Sequence, residues 1–182
     1  MRTSTVARTS TVALAALLLA SPAIVSAAHA QATAPAAATA PVTDTDRKFL
    51  VKDAQGSVYE EALGKLAQRR ASRPGVKAYA DRIVTDHETA NQALQDLGAS
   101  KGVTLPTTMT SEDQRRLTGM SAHTAKSFDA AFIKEAIRIN ADDKRASAAE
   151  TAHTQDSDIK AFLSKFSSSD AEHERMALAL RR

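Results

Sequence analysis

The apolar residues between Ser72 and Gly102 recur every three or four positions, and this spacing constrains the fold more than any other feature. At about 100° per residue they form one stripe, which is typical of an amphipathic helix. Ser72 is the expected N-cap, Pro74 suits the first turn and Gly102 suits the C-terminal stop. His87 falls near the centre of the stripe, so we expect a histidine inside the protein at mid-helix. The stripe consists of Val76, Tyr79, Ala80, Ile83, Ala90, Leu94 and Leu97.

Three further segments carry the same periodicity, which predicts an all-α protein. Aromatic residues make up 4% of the chain and there is no Trp, a composition that favours helices over a β-rich fold. The first helix is expected to start after Thr43, because Asp46 three residues later completes a sequence that resembles a capping box. Gly56 and Gly64 within it are expected to weaken it locally and to permit close packing. The four predicted helices span about 44–71, 73–102, 127–154 and 157–181.

The connections between these helices predict their topology. Short turns near residue 72 and near Gln155 imply two antiparallel hairpins. The segment 103–126 contains Pro106 and a short helix predicted from Ser111 to Gly119, with Ser111 and Gln114 as its cap. Fully extended, this segment reaches farther than the roughly 40 Å length of one long helix. The sequence therefore predicts a ferritin-like four-helix bundle, in which a long crossover joins the two hairpins.

The N-terminus has the features of a secretory signal. Arg2 and Arg8 precede the apolar run 12–20, and the small-x-small sequence at 28–30 predicts cleavage after Ala30. An uncleaved membrane anchor is the alternative, but the run is short for a span. We therefore predict a signal peptide over 1–30, a disordered Ala/Pro/Thr-rich linker over 31–43 and a helical domain over 44–182. The expected location is periplasmic or secreted, with no transmembrane span after cleavage.

Charge and cysteine content exclude several classes of function. The whole chain has 24 basic and 21 acidic side chains, and loss of Arg2 and Arg8 leaves a net charge of only +1. No Lys/Arg cluster with interleaved aromatic residues is present, so we expect no nucleic-acid partner. The chain has no Cys, which excludes disulfides, thiol chemistry and a lipid-modified N-terminal cysteine.

Histidines and carboxylates at one depth of the predicted bundle indicate a possible metal site. His87 lies near the middle of the second helix and His173 near the middle of the last, so the two approach each other in either helix direction. Glu60 of the first helix and Asp143 of the third long helix lie at similar depth. Facing histidines and carboxylates inside four helices are how carboxylate-bridged metal sites are built. The candidate ligands are therefore His87, His173, Glu60 and Asp143, and the alternative cofactor is iron or manganese.

A structural role for the two histidines is the competing interpretation, because core histidines usually satisfy their nitrogens with internal partners. Glu150 and His153 have the Glu-x-x-His spacing, but they lie some fifteen residues from the depth of His173, roughly 20 Å along a helix. We interpret that pair as a polar helix end. No Gly-rich phosphate loop or Gly-x-Ser-x-Gly elbow is present, and the residues favour a protein that is not an enzyme.

The chain also resembles a known family. Its segments Leu63-Gly64-Lys65-Leu66-Ala67 and Asp86-His87-x-x-Ala90-Asn91 are the most specific part of the resemblance. Further matching segments follow in order: Phe49-Leu50, Glu60, Val76-Lys77-x-Tyr79-Ala80, Gly102-Val103-x-Leu105-Pro106, Phe128-Asp129, Ile159-Lys160-x-Phe162 and Glu172-His173. This pattern is similar to the exported bacterial domain-of-unknown-function family 4142, whose members are often described as outer membrane proteins and are similar in fold to ferritin.

The resemblance implies a fold and a compartment, but little biochemistry. Ala62 stands where members commonly carry a glutamate, and Ile139-Asn140 stands where an Asp-His pair is common. The leading expectation is an exported, non-catalytic protein of the cell envelope that acts through contacts with an unknown envelope protein or surface. A stress-related role is implied by family association alone. The alternative is a ferritin-like metal-binding protein or oxidase that uses His87 and His173 with nearby carboxylates.

Overall fold

The computed structural model describes residues 41–182, and the predicted signal peptide with most of the predicted linker lies outside these residues. Within them the fold is all-α and contains no strand. The helices run close to the predicted bounds: α1 Asp44–Arg70, α2 Pro74–Ser100, α3 Ser111–Ser121, α4 Ala125–His153 and α5 Ser157–Leu180. None of these helices has the length and apolar character needed to cross a bilayer.

The four long helices form two antiparallel hairpins, α1 with α2 and α4 with α5. The hairpins pack through α2 against α5 and α1 against α4. At one end of the domain, the Arg73 guanidinium donates a 2.9 Å hydrogen bond to the Leu180 carbonyl. At the other end, the Lys101 ammonium lies 2.6 Å from a carboxylate oxygen of Asp156. The segment between α2 and α4, which carries α3, therefore runs the length of the helices, as expected of a crossover.

The start of α2 differs from the prediction. The N-cap is Arg73, not Ser72, and its own side chain makes no capping hydrogen bond. Asp129 of α4 replaces that cap: its carboxylate accepts from the backbone N–H groups of Ser72 and Arg73 at 2.9 and 2.8 Å, and from the Ser72 hydroxyl at 2.8 Å. The charged acceptor from a neighbouring helix makes a local Ser72 cap unnecessary. The predicted Ser111 cap of α3 is likewise shifted by one residue, since Thr110 accepts from the Asp113 N–H.

Two apolar clusters fill the space between the helices. One surrounds Tyr79, Phe128 and Phe132 near the α1–α2 turn. The other surrounds Leu50, Leu94 and Ile159 near the opposite end, and Leu105 of the crossover packs into it. Each fully buried large side chain of this kind contributes roughly 1.5–3 kcal/mol to folding. The side chains between the two clusters are polar, and they form the candidate site described below.

The two glycines of α1 have different surroundings. A Cβ atom at Gly64 would lie 2.9 Å from Val84 Cγ2 and 3.3 Å from the Ala80 carbonyl oxygen, so this glycine permits the close approach of α2, as predicted. A Cβ atom at Gly56 would meet nothing within 4 Å. The prediction of close packing at Gly56 is therefore wrong, because this face of α1 borders open space.

Two carboxylates are buried together where α1 begins and α4 ends. The side chain of Asp46 forms the capping box with Thr43, and Glu150 lies against it with only 4% of its surface exposed. Glu150 is therefore a buried residue, although the sequence placed it at a polar helix end. Burial, the hydrogen bond to Asp46 and the Asp46 charge together raise the pKa of Glu150 to about 7. Burial would raise the pKa of Asp46 as well, but hydrogen bonds from Thr43, Glu150 and Thr154 lower it to about 2.

Replacement of the α1 glycines by alanine tests this packing. Gly56→Ala is expected to raise the free energy of unfolding by about 0.5–1 kcal/mol, because alanine favours the helix and its methyl group meets no obstacle. Gly64→Ala is expected to lower it by about 1–2 kcal/mol, because the contact with Val84 outweighs the same gain in helix propensity. Chemical denaturation of both variants beside the wild type measures the two differences. Stabilisation by both substitutions would contradict the close α1–α2 contact.

The Asp46–Glu150 pair predicts how stability depends on pH. Between pH 4.5 and about 7 the folded protein holds a proton on Glu150 that the unfolded chain releases. The stabilisation is therefore complete below pH 4.5 and is lost as the pH rises through about 7. Glu150→Gln keeps a donor for Asp46 but cannot ionise. As the pH rises from 5 to 8, the free energy of unfolding of the wild type should therefore fall by about 2 kcal/mol more than that of the variant. Urea unfolding at both pH values measures this, and Glu88→Gln, at an exposed position, is the control. Equal pH profiles for Glu150→Gln and wild type would disprove the shared proton.

Candidate functional site

The structure brings the four predicted site residues to a single cleft between the long helices. Glu60 of α1, His87 of α2, Asp143 of α4 and His173 of α5 all line a cavity of about 750 Å3. Pockets that bind small ligands typically have volumes of roughly 300–1,000 Å3. The centres of the two imidazole rings are 5.6 Å apart, with an angle of 31° between the ring planes. The equal depth of the two histidines, inferred from helix positions alone, is what allows this contact.

His87 has one satisfied and one unsatisfied ring nitrogen. Its Nδ1 lies 2.9 Å from the Ser57 hydroxyl. Its Nε2 is buried and lies 3.4 Å from Glu60 Oε2, yet it forms no hydrogen bond in this arrangement. Burial would lower the pKa of His87, but the charge of Glu60 raises it above the usual range. His87 is therefore a buried imidazole held by one nitrogen, and its other nitrogen faces carboxylates.

Glu60 is the central acid of the cluster. Its side chain is 9% exposed, and it contacts both His87 and Asp143. Burial opposes its ionisation, but His87 and the hydrogen bond from Asp143 lower the pKa of Glu60. Burial and the charge of Glu60 raise the pKa of Asp143 to about 9. The opposite pKa shifts favour a hydrogen bond in which the Asp143 carboxyl is the donor and the Glu60 carboxylate the acceptor.

Two further carboxylates, Asp53 and Asp170, belong to the same cleft. Burial and the charge of Asp170 raise the pKa of Asp53 to about 7, and burial and the charge of Glu60 raise the pKa of Asp170 to about 6. Asp53 was missed by the sequence reasoning, although it stands seven residues before Glu60 and therefore shares its helix face. Asp170 was visible only as part of the Asp-x-x-His spacing that ends at His173.

His173 is held in place by a separate polar network. Its Nε2 lies 2.8 Å from Asp86 Oδ2, which also accepts from the Ser169 hydroxyl at 2.7 Å and from Arg82 Nε at 2.6 Å. Burial and the nearby charge of His87 lower the pKa of His173, so the neutral form is favoured. His173 lies edge-on to the Tyr79 ring, with 6.4 Å between ring centres.

The Ser169, His173 and Asp86 side chains do not have the geometry of a nucleophilic triad. In a triad the histidine bridges the serine and the acid, and takes the serine proton as a general base. Here the hydroxyl of Ser169 donates directly to Asp86, and the same Asp86 oxygen also faces His173 Nε2. The carboxylate is further neutralised by Arg82. The arrangement positions His173 and does not activate Ser169.

Other polar residues of interest lie outside this cluster or close one side of it. Asn140 donates to the Tyr79 hydroxyl at 3.2 Å and to the Ala136 carbonyl at 2.7 Å, so its amide hydrogens are used internally. His123 and His153 are exposed, as predicted. Glu150 pairs with Asp46 at the end of α4, away from the residues that line the cleft.

The cleft contains the types of side chain that bind divalent cations, but these side chains are not arranged as a ready set of ligands. Among residues 41–182, no three His, Asp or Glu side chains stand together as a ready set of ligands. Imidazole and carboxylate are nevertheless the donors that Fe²⁺, Mn²⁺ and Zn²⁺ take. Two features fit such an ion: the buried His87 Nε2 without a hydrogen bond, and the Asp143 carboxyl, whose pKa is raised by burial and by the neighbouring acids.

Comparison with known proteins identifies the domain without assigning a role. A family model described as a domain of unknown function, DUF4142, matches residues 31–180. A search of curated proteins finds no match. The chain is similar to the crystal structure of a DUF305 fragment from Deinococcus radiodurans, with a TM-score of 0.67 and 13% identity over 78% of this chain and 98% of that chain. At this identity the similarity shows a shared fold.

Proposed function

Because the chain belongs to the DUF4142 family, whose function is unknown, we propose a function from its cleft: it binds a divalent metal ion between His87, Glu60, Asp143 and His173. The observation that carries the proposal is the buried His87 Nε2, which forms no hydrogen bond and lies 3.4 Å from Glu60 Oε2. We further propose that the protein is exported to the periplasm or secreted, and that its four long helices form a ferritin-like bundle. The N-terminal signal features and the two hairpins joined by a crossover support these proposals.

The charge balance of the cleft favours a cation. Asp53, Glu60, Asp143 and Asp170 line it, and within the described part of the chain none of them is ion-paired with a lysine or arginine. His87 faces these four acids, and burial together with the neighbouring acids raises the pKa of Asp53, Asp143 and Asp170. A divalent ion would supply the missing positive charge, and Glu60 and Asp143 would then serve as ligands in their ionised form.

Metal binding requires a modest rearrangement of side chains. The hydrogen bond between Asp143 and Glu60 must open so that both carboxylates turn toward His87 Nε2. The His173 ring also needs to leave Asp86 or to bind through its other nitrogen. The absence of Cys ligands and the mixture of imidazole and carboxylate favour iron, manganese or zinc over soft copper(I).

Elemental analysis of the mature protein, purified without a chelator or a histidine tag, tests the metal site. We expect stoichiometric iron, manganese or zinc in the wild type. His87→Ala and the isosteric Glu60→Gln should weaken binding of the same metal at least tenfold, whereas His123→Ala, at an exposed histidine, should not change it. Metal at one hundred times its Kd should stabilise the wild type by about 2.7 kcal/mol.

The outcomes separate the two roles considered for this domain. Sub-stoichiometric metal that is equal in the wild type and in His87→Ala, with no change of Tm on addition of iron, manganese or zinc, would disprove the metal site. The cluster would then be a structural polar core, and the non-catalytic role through contacts in the cell envelope would be the remaining proposal.

A further inference from the structure

The cleft extends well beyond the four residues of the proposed metal site. We define its outer chamber by Asp53, Gly56, Phe49, Phe162, Phe166 and Asp170, which all line the same cavity. A Cβ atom at Gly56 would meet nothing within 4 Å, so the cavity has room for a side chain where α1 forms its wall. The total volume of about 750 Å3 is many times the roughly 30 Å3 that one water molecule occupies. A metal ion alone leaves most of this space unused.

The walls of the outer chamber are aromatic on one side. The rings of Phe162 and Phe166 lie on α5 with their centres 4.8 Å apart. Phe49 of α1 lines the same space, and all three rings are only half-buried. The Lys165 ammonium lies 5.1 Å from the centre of the Phe166 ring, so this ring accepts an alkylammonium group, although Lys165 itself does not line the cleft.

The outer chamber contains two acids without an ionic partner among the described residues. Asp53 and Asp170 approach each other from α1 and α5, and neither carboxylate forms a hydrogen bond or an ion pair with another described residue. Three arginines also line the cleft, but each is paired with acids near it on its own helix, Arg116 with Glu112, and Arg138 and Arg145 with Asp142. Lys52 is exposed at the rim.

We propose that the outer chamber binds a small organic cation, an ammonium group carried on an apolar or aromatic body. The two free carboxylates would face the ammonium group, and the phenyl rings would cover the body. Aromatic faces attract cations through the ring quadrupole, and burial beside carboxylates strengthens that attraction. The chamber uses Asp53 and Asp170, which the proposed metal site does not need, so this inference goes beyond the proposed function.

Isothermal titration with three probes of nearly the same shape tests the charge requirement. The probes are 2-phenylethylammonium, the neutral 2-phenylethanol and the anionic 3-phenylpropionate. We expect the ammonium compound to bind at least tenfold more tightly than the alcohol, and the carboxylate not to bind. Elemental analysis of the same preparation reports metal content separately, so failure of one proposal is distinguishable from failure of the other.

Variants of the chamber locate the binding. Asp53→Asn combined with Asp170→Asn should weaken binding of 2-phenylethylammonium at least tenfold, and Asp96→Asn, on the exposed face of α2, should leave it unchanged. Gly56→Leu should abolish binding by filling the chamber, whereas the smaller Gly56→Ala should retain it. Circular dichroism shows whether each variant is folded. Equal binding of the amine and the alcohol, undiminished binding in Gly56→Leu, or no binding of the amine at millimolar concentration would each overturn the proposal.

Discussion

The central constraint on this domain is that the cleft between its long helices contains more acidic than basic side chains. Asp53, Glu60, Asp143 and Asp170 come from three different helices to one cleft, and they face His87, whose pKa the charge of Glu60 raises in spite of burial. Like charges at this spacing cannot all be ionised away from bulk water, so protons remain on the weakest acids. The pKa of Asp143, raised to about 9, is the clearest sign of that constraint. A fold that only needed a stable core would place apolar side chains here, because a buried ionic cluster is weak evidence for stability.

The buried carboxylates at the two ends of the domain are different, because each has a defined partner. Asp129 accepts from the start of α2, and Asp156 pairs with Lys101 while it caps α5. Asp46 caps α1 and shares a proton with Glu150. These groups tie the hairpins together through hydrogen bonds that few other side chains can make. In the cleft, by contrast, Asp53 and Asp170 form neither a hydrogen bond nor an ion pair with another described residue, and for this reason the cleft is the candidate site.

The helices and the contact between His87 and His173 could be predicted from the sequence, because both follow from the period of the α-helix. All four long helices begin and end within a few residues of the predicted bounds, and the side-by-side position of His87 and His173 needed only their depths. Contacts that depend on a neighbouring helix were not predictable in this way. The capping of α2 by Asp129, the burial of Glu150 and the open face at Gly56 each require knowledge of what lies opposite. Asp53 was also missed, although its seven-residue spacing from Glu60 places both on one face of α1; that Asp170 of α5 lies near it could not be read from this spacing.

Two sides of the cleft differ in whether their polar side chains already have partners. On one side, the Asn140 amide donates hydrogen bonds to the Tyr79 hydroxyl and to a backbone carbonyl, and Tyr79 packs edge-on against His173. Tyr79 belongs to the apolar cluster near the α1–α2 turn, so this side of the cleft borders the core. On the other side, Gly56 leaves a gap, and the carboxylates of Asp53 and Asp170 border it without partners. Partners for a ligand therefore remain on the Gly56 side, where two carboxylates are unpaired, and not on the Tyr79 side, where the Asn140 amide is already hydrogen-bonded.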